Sequence, residues 1–411
     1  MSHRFLQIHF LTSYPAALLN RDDAGFAKRL PFGGATRTRI SSQCLKRHWR
    51  TFDGDHSLAT IPLDGDAAPM SVRSRRTFER FVYSPLVEDF GVPEEVARAT
   101  TKALMDEVLG KSEKAKAQAK EEAEEGGAVI RTGQVTVLGR PEVSFLLEQA
   151  RAIAATIDDP KKSPAAVKER FKGESKKNLA ALRMGAGLDA ALFGRMITSD
   201  ILARSNAAVH VAHAFTVHEE SAETDYFSAV DDLLKGGEEE ELGSGHIGTT
   251  ELTSGFYYGY LVLDLPLLVS NLEGCPRGEW RQADRSLAAQ VTSRLVHLVA
   301  TVSPGAKLGS TAPYARPHLV LVEAGTEQPR TLANAFLKPV QPRPDLVANS
   351  YDALAGHLGD LDQAYGRGTA RAAMVVGGAD HTRGLLDLLD SNSSTRLDDL
   401  ATWAAEQVEA A

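Results

Sequence analysis

The chain has 411 residues, 43% hydrophobic and 24% charged, a composition that excludes a disordered polymer and supports a sizeable core. With only Cys44 and Cys275, neither a disulfide framework nor a cysteine-rich zinc site can be built, and a reducing cytoplasm is the expected compartment. The net charge of −8 argues against a nucleic-acid binder until its distribution is read: residues 1–50 carry nine Lys or Arg against Asp22 and Asp23, a local +7, and the other 361 residues sum to −15.

In chain order, Arg4 to Leu11 alternates Leu6, Ile8 and Phe10 with Gln7 and His9, which predicts a strand with one buried side. Asn20-Arg21-Asp22-Asp23 follows where a secretory leader would need small residues, so no signal peptide is expected. No run approaches the ~18 apolar residues of a membrane span. Thr12 to Arg39, with Pro15, Gly25, Pro31, Gly33 and Gly34, reads as a long loop of functional length. A helix capped by Ser41 or Ser42 comes next, with Leu45, Trp49 and Phe52 as its apolar stripe. From about Leu58 to Gly194 the pattern is helical and polar; it includes a solvated helix at Lys111–Glu125 and a second basic cluster, Arg73, Arg75, Arg76 and Arg80, equally consistent with a surface helix face.

Strand patterns return at Ala207–His218 and Glu251–Leu265, flanking an exposed projection, Glu220–Thr250, that holds Gly236-Gly237 and the acids Glu238 to Glu241. A helix at Leu287–Thr301, a strand at His318–Glu323, a helix at Tyr351–Tyr365, a strand at Ala372–Val376 and a helix at Leu397–Val408 complete an interleaved α+β pattern. No repeat of fixed period is present. Length fits two or three domains or one elaborated domain with insertions.

The most informative stretch is FGGATRTRISSQCLKRHWR, Phe32 to Arg50. Glycines let backbone approach a ligand, and serines at a helix start stand beside unpaired amides, a natural anion site. Lys46 and Arg50 share a helical face, with Arg47 beside it, and Arg37 and Arg39 precede them. Asp22 and Asp23 suggest a magnesium site, but adjacent acids seldom converge on one ion and more often form turns. His210, His213 and His218 match no metal motif and read as packed or hydrogen-bonded histidines. Met196, after Gly194-Arg195, is a core residue or a surface wedge, and Tyr226-Phe227 on the projection suits docking or base stacking. No P-loop, GxSxG or Rossmann fingerprint stands in a convincing context.

Taken together, LNRDD (Leu19–Asp23), FGG (Phe32–Gly34), RISSQCLKR (Arg39–Arg47), GRM (Gly194–Met196), AHAFTVH (Ala212–His218), DYFSAVDDL (Asp225–Leu233), GTTELTSGFYYGY (Gly248–Tyr260) and PGAK (Pro304–Lys307) resemble, in order and spacing, the CasC family. This is the Cas-seven superfamily in its type I-E branch, the repeated backbone subunit of CRISPR Cascade complexes. The resemblance runs from the first strand to about Ala335. It implies an α+β fold with a modified RRM-like (ferredoxin-like) palm, a helical fingers insertion and a protruding thumb hairpin. The palm maps to residues 1–58, 205–219 and 251–411, the fingers to 59–204 and the thumb to 220–250.

The resemblance further implies a non-enzymatic protein, without cofactor or metal, that polymerises along a guide RNA (crRNA), kinks it at regular intervals and presents it to a target DNA strand. Its expected partners are that RNA and DNA, further copies of itself, the large and small Cascade subunits and those capping the 5′ and 3′ ends of the crRNA; no membrane is involved. Carried over residue by residue, backbone contacts fall on Arg21, Ser41, Gln43, Lys46, Arg47, Arg50 and Lys307, with Met196, Tyr226 and Phe227 near the kinked nucleotide. Such groups grip phosphate and sugar without reading sequence. Tyr226 stands where a Trp is often found. The alternative is a metal-dependent ribonuclease acting through Asp22 or Asp23, as in type III relatives.

Overall fold

A computed structural model describes residues 3–110, 130–180, 182, 184–195, 202, 205–230, 244–390 and 396–411. The expected helix at Lys111–Glu125 and the Met196 contact lie outside the described residues. Two compact units result: Met1–Ser57 with His210–Leu263 and Ala289–Ala411, and Leu58–Val209 with Asp264–Ala288.

The first unit is built on β1 (Phe5–Ala17), β2 (Arg29–Phe32), β3 (Ala35–Ile40), α1 (Ser42–Thr51), β4 (Ala214–Thr216), β5 (Ala222–Val230), β6 (Ser244–Asp264), α2 (Ser286–Thr301), β7 (Pro317–Gly325), α3 (Leu346–Tyr365), β8 (Thr369–Val375), α4 (Ala379–Leu386) and α5 (Leu397–Glu409). Among the described residues nine strands form one sheet, ordered β8-β7-β1-β6-β4-β3-β2, with β5 and the short strand Val209–Val211 also paired to β6. The pairs β1/β7, β7/β8, β4/β6, β3/β4 and β2/β3 are antiparallel. The fold is α+β. Leu11, Phe215, Phe256, Tyr258, Leu319, Leu321, Phe336, Tyr351 and Leu354 form its core.

Strand β1 is buried on both faces, not one. Leu6 and Ile8 are apolar core, while Gln7 and His9 sit in a buried polar layer. Gln7 Oε1 accepts from the Tyr260 hydroxyl (2.8 Å) and the Arg330 N–H (2.9 Å). His9 bonds the Tyr258 hydroxyl (2.9 Å) and the Glu323 carboxylate (3.1 Å), and Arg330, Arg371 and the Thr369 hydroxyl also donate to Glu323. Buried polar groups require partners, and each of these has one.

The loop expected at Thr12–Arg39 shrinks to residues 18–28, between an extension of β1 and the β2/β3 hairpin. Phe32 pairs with Ala35, so Gly33 and Gly34 are a two-residue turn with φ of +61° and +79°, the double left-handed geometry that matches strand twist. A Cβ on Gly33 would fall 1.5 Å from the Leu337 carbonyl oxygen. The glycine pair therefore serves the hairpin, and Gly33 also its packing against Leu337. Pro31 is tolerated because β2 is the last strand in the order.

The second unit is largely helical, with Glu94–Leu109 and Arg140–Ala154 as its long helices. Phe78, Val82, Leu86, Leu104, Leu146 and Phe171 make its core. Arg73 lies on a short strand, Ser71–Ser74, paired with Thr136–Gly139, and not on a helix face. It pairs with buried Asp189 at 3.2 Å, Arg75 donates to the Thr132 carbonyl, Arg76 pairs with Glu79, and Arg80 lies over Phe81. The second basic cluster thus has local partners throughout.

Candidate nucleic-acid interface

Asn20, just after β1, organises the basic end of the first unit. Its side-chain oxygen accepts from the Ser41 N–H at 2.8 Å and its carbonyl accepts from the Lys28 N–H at 2.9 Å, tying the turn to the start of α1. Arg21 bridges Ala27, and the Asp22 carboxylate accepts from the Phe26 N–H at 2.9 Å, so Arg21 stands exposed on a closed turn. Asp22 is thereby a turn former. Asp22 and Asp23 line a hollow of about 470 Å³ with Ala27, Lys28, Arg29 and Arg39.

Helix α1 begins where Ser41 caps it, its hydroxyl oxygen accepting from the Cys44 N–H at 3.3 Å. Leu45 and Trp49 are 3% and 1% exposed, which fixes the rotation of the helix and turns Gln43, Lys46, Arg47 and Arg50 away from the core. Gln43 and Arg47 are exposed, and Lys46 and Arg50 are half-buried. Ser41 is itself buried, its oxygen engaged by the helix it caps. Cys44 lies below this surface, and burial pushes its thiol up to about 11, so it is no reactive thiolate at neutral pH.

Lys307 reaches the same end of the unit through its neighbour: the Ala306 N–H donates to the Leu18 carbonyl at 2.9 Å. The Lys307 ammonium donates to the Thr250 hydroxyl on β6 and lies 5.5 Å from the centre of the Phe227 ring. Tyr226 and Phe227 face Thr249 and Gly248 across the β5/β6 ribbon and are 63% and 41% exposed. The Phe227 ring covers Gly248, where an added Cβ would fall 2.4 Å from it. The fold thus joins Arg21 to the α1 start, and Lys307 to both Leu18 and the aromatic ribbon.

Two cations of this stretch have other duties. Arg37 is fully buried, and its guanidinium donates to the carbonyls of Phe32, Thr216 and Phe336 at 3.3, 2.9 and 3.0 Å. It holds the β2/β3 hairpin and is no phosphate ligand, contrary to its reading from sequence. Arg29 is clamped by Glu220 and Glu251. His218 is 9% exposed, bonds the Glu219 carbonyl through Nδ1 and accepts from the Phe256 N–H through Nε2; burial first of all lowers its pKa, so it is a neutral structural group. His213 bonds Arg39. Asn20 was not anticipated; its signal is an Asx residue between the end of a strand and a basic turn. Among the described residues no group of three His, Cys, Asp or Glu is placed to hold a metal, and no helix is long and apolar enough to cross a membrane.

The model of the CT1975-like protein family matches residues 6–403. The chain belongs to that family. The CT1975-like chain is also similar to a solved structure titled CRISPR RNA-guided surveillance complex, pre-nicking, with 24% identity, a TM-score of 0.72, and coverage of 97% of this chain and 100% of the other. A second, titled CRISPR RNA-guided surveillance complex, has 20% identity, a TM-score of 0.65, and coverage of 99% and 100%. At these identities the likeness establishes the fold. No curated protein matches the CT1975-like sequence.

Proposed function

We propose that this CT1975-like chain is the crRNA-binding backbone subunit of a type I-E Cascade complex. In this reading its sheet is an RRM-like palm, the β5/β6 ribbon is a thumb, and several copies coat one guide RNA in the cytoplasm alongside the other Cascade subunits. The single observation that carries it is the convergence of Arg21, the α1 start and Lys307 at one end of the first unit, beside an exposed pair of aromatics. Cations and amides grip ribose-phosphate without regard to sequence, and aromatics wedge or stack where the strand bends, which a coat for arbitrary guides requires. The two similar structures, whose titles name CRISPR RNA-guided surveillance complexes, support the reading through their fold.

The protein is proposed as non-catalytic: one oxygen of Asp22 is held by the Phe26 N–H, and Arg29 in the adjoining hollow is already paired with Glu220 and Glu251. The test is Lys46→Ala with Arg50→Ala, measured as RNA affinity across a salt series. Each lost phosphate contact reduces the slope of log affinity against log salt by about 0.7 on a single strand, so the pair reduces it by about 1.4. The same assembled complex, given Mg²⁺ and a complementary RNA, should leave that RNA intact. Unchanged RNA retention in the double variant overturns the binding surface, and periodic cleavage overturns the non-catalytic assignment.

A further inference from the structure

The segment Pro304–Arg316 holds an exposed aromatic that the reading above does not use. Tyr314 is 76% exposed and Leu308 47%. Neither is on a loose loop. The Ala306 N–H is tied to Leu18, the Ser303 hydroxyl and the Ala315 backbone bond one another in both directions (3.3 and 3.1 Å), and Arg316 donates to the Thr301 carbonyl at 3.1 Å. The short helix Leu308–Thr311 ends at Ala312, whose φ of +38° is a left-handed conformation unfavourable to an alanine, and the Tyr314 N–H turns back to the Ala312 carbonyl at 2.7 Å. A rigid turn that accepts backbone strain to display an aromatic to solvent is the kind of feature that persists at binding sites.

The surroundings select the ligand. Pro304–Arg316 contains Lys307 and Arg316 and no acid, and its Gly305, Gly309, Ser310, Ala312 and Ala315 leave the ring unscreened. Tyr365 is as exposed, at 80%, but ends α3, whose later half carries Asp360 and Asp362, and Phe26 sits next to Asp22 and Asp23 on its turn. Of these aromatics, Tyr314 has the environment that suits a polyanion.

We infer that Tyr314 is a stacking platform for a nucleobase of single-stranded RNA, beside the phosphate that Lys307 holds. The inference rests on the guide-RNA reading and extends it to a second aromatic position, on the body and not on the ribbon. Stacking is tolerant of base identity because every base has a π-face, so it suits arbitrary guides.

The test uses the full chain as wild type, Tyr314→Ala, Tyr314→Phe and Lys307→Ala, titrated with a labelled oligouridylate and with an abasic ribose-phosphate oligomer of equal length. Tyr314→Ala should weaken oligouridylate binding about 5- to 150-fold, the range of one lost base stack, with no change in salt slope and no change on the abasic oligomer. Tyr314→Phe should stay within about twofold of wild type, since the π-face is kept. Lys307→Ala should flatten the salt slope on both oligomers. Wild-type affinity in Tyr314→Ala, while Lys307→Ala flattens the slope, overturns this inference alone. An equal loss on the abasic oligomer, or lost self-association in sedimentation at unchanged RNA affinity, also overturns it, the latter by assigning Tyr314 to a neighbouring copy. Failure of the wild type to bind either oligomer overturns the guide-RNA reading itself.

Discussion

The first unit sets charged side chains to two opposite uses, and the contrast between α1 and Glu323 shows what decides between them. On α1, Lys46, Arg47 and Arg50 ride a helix whose other side is anchored by Leu45 and Trp49, which leaves Arg47 exposed and Lys46 and Arg50 half-buried on the side away from the core. On β7, Glu323 is fully buried between His9, Arg330 and Arg371, and Arg371 is in turn held by Asp362 at 2.5 and 2.6 Å. Both sets are ionised side chains; the depth of burial is what differs. A charge survives burial only when its hydrogen-bonding capacity is filled from several elements, and here β1, β7, β8 and α3 all contribute.

That difference is broken most severely by Glu323→Ala. It leaves the Arg371 Nε–H and His9 without their acceptor in the interior, although Asp362 still holds the rest of the guanidinium, and losing one member of a buried ion pair costs about 3–5 kcal/mol. Urea unfolding should show that loss, whereas Lys46→Ala with Arg50→Ala should stay within about 1 kcal/mol of wild type, the scale of surface charge contacts. Equal stability of the two variants would erase the contrast.

Acid titration sharpens it with a smaller effect. Burial alone would raise the Glu323 pKa, but hydrogen bonds from His9 and Arg330, and the charge of Arg330, hold it well below the usual carboxylate range. Burial lowers that of His9 from 6.5. Both shifts act in one direction. Glu323 contributes stability above its unfolded pKa and loses it as pH falls through the folded one, and His9, neutral when folded, loses stability once the unfolded chain takes up a proton below about pH 6.5. Midpoints for urea unfolding should therefore fall steadily from pH 7 towards pH 4, and Glu323→Gln should flatten the acid end of that fall.

The sequence made α1 legible because its information is local: Ser41 before the helix, and Leu45 and Trp49 four apart. The β5/β6 ribbon was legible only through the resemblance, which implied a hairpin at 220–250; the residues themselves marked Glu220–Thr250 as an exposed projection and put strand alternation outside it, at Ala207–His218 and Glu251–Leu265. Arg37 was not legible, because its carbonyl partners Thr216 and Phe336 lie 179 and 299 residues away, and nothing near Arg37 marks it as buried. Gln7 and His9 misled likewise. Polar residues alternating with apolar ones signal a solvent face unless another element covers them, and that cover comes from the far end of the chain. Gly33-Gly34 carried both meanings, close approach and turn; only the pairing of Phe32 with Ala35 separates them.

Ser41 is where the two uses meet, and it carries the smallest expected effect. The resemblance assigns it to the RNA backbone, yet it is 6% exposed and its oxygen accepts from the Cys44 N–H. Ser41→Ala should cost about 1 kcal/mol through the lost cap, measured by urea unfolding, and any fall in RNA affinity would mix helix fraying with a lost contact. Ser41→Asp separates them. Aspartate caps as well as serine and suits the positive end of the helix dipole, so stability should hold within about 0.5 kcal/mol. A carboxylate there repels phosphate, so RNA binding should weaken all the same if the strand passes the start of α1. Wild-type affinity in Ser41→Asp would leave Ser41 a cap and move the strand along α1, towards Lys46 and Arg50.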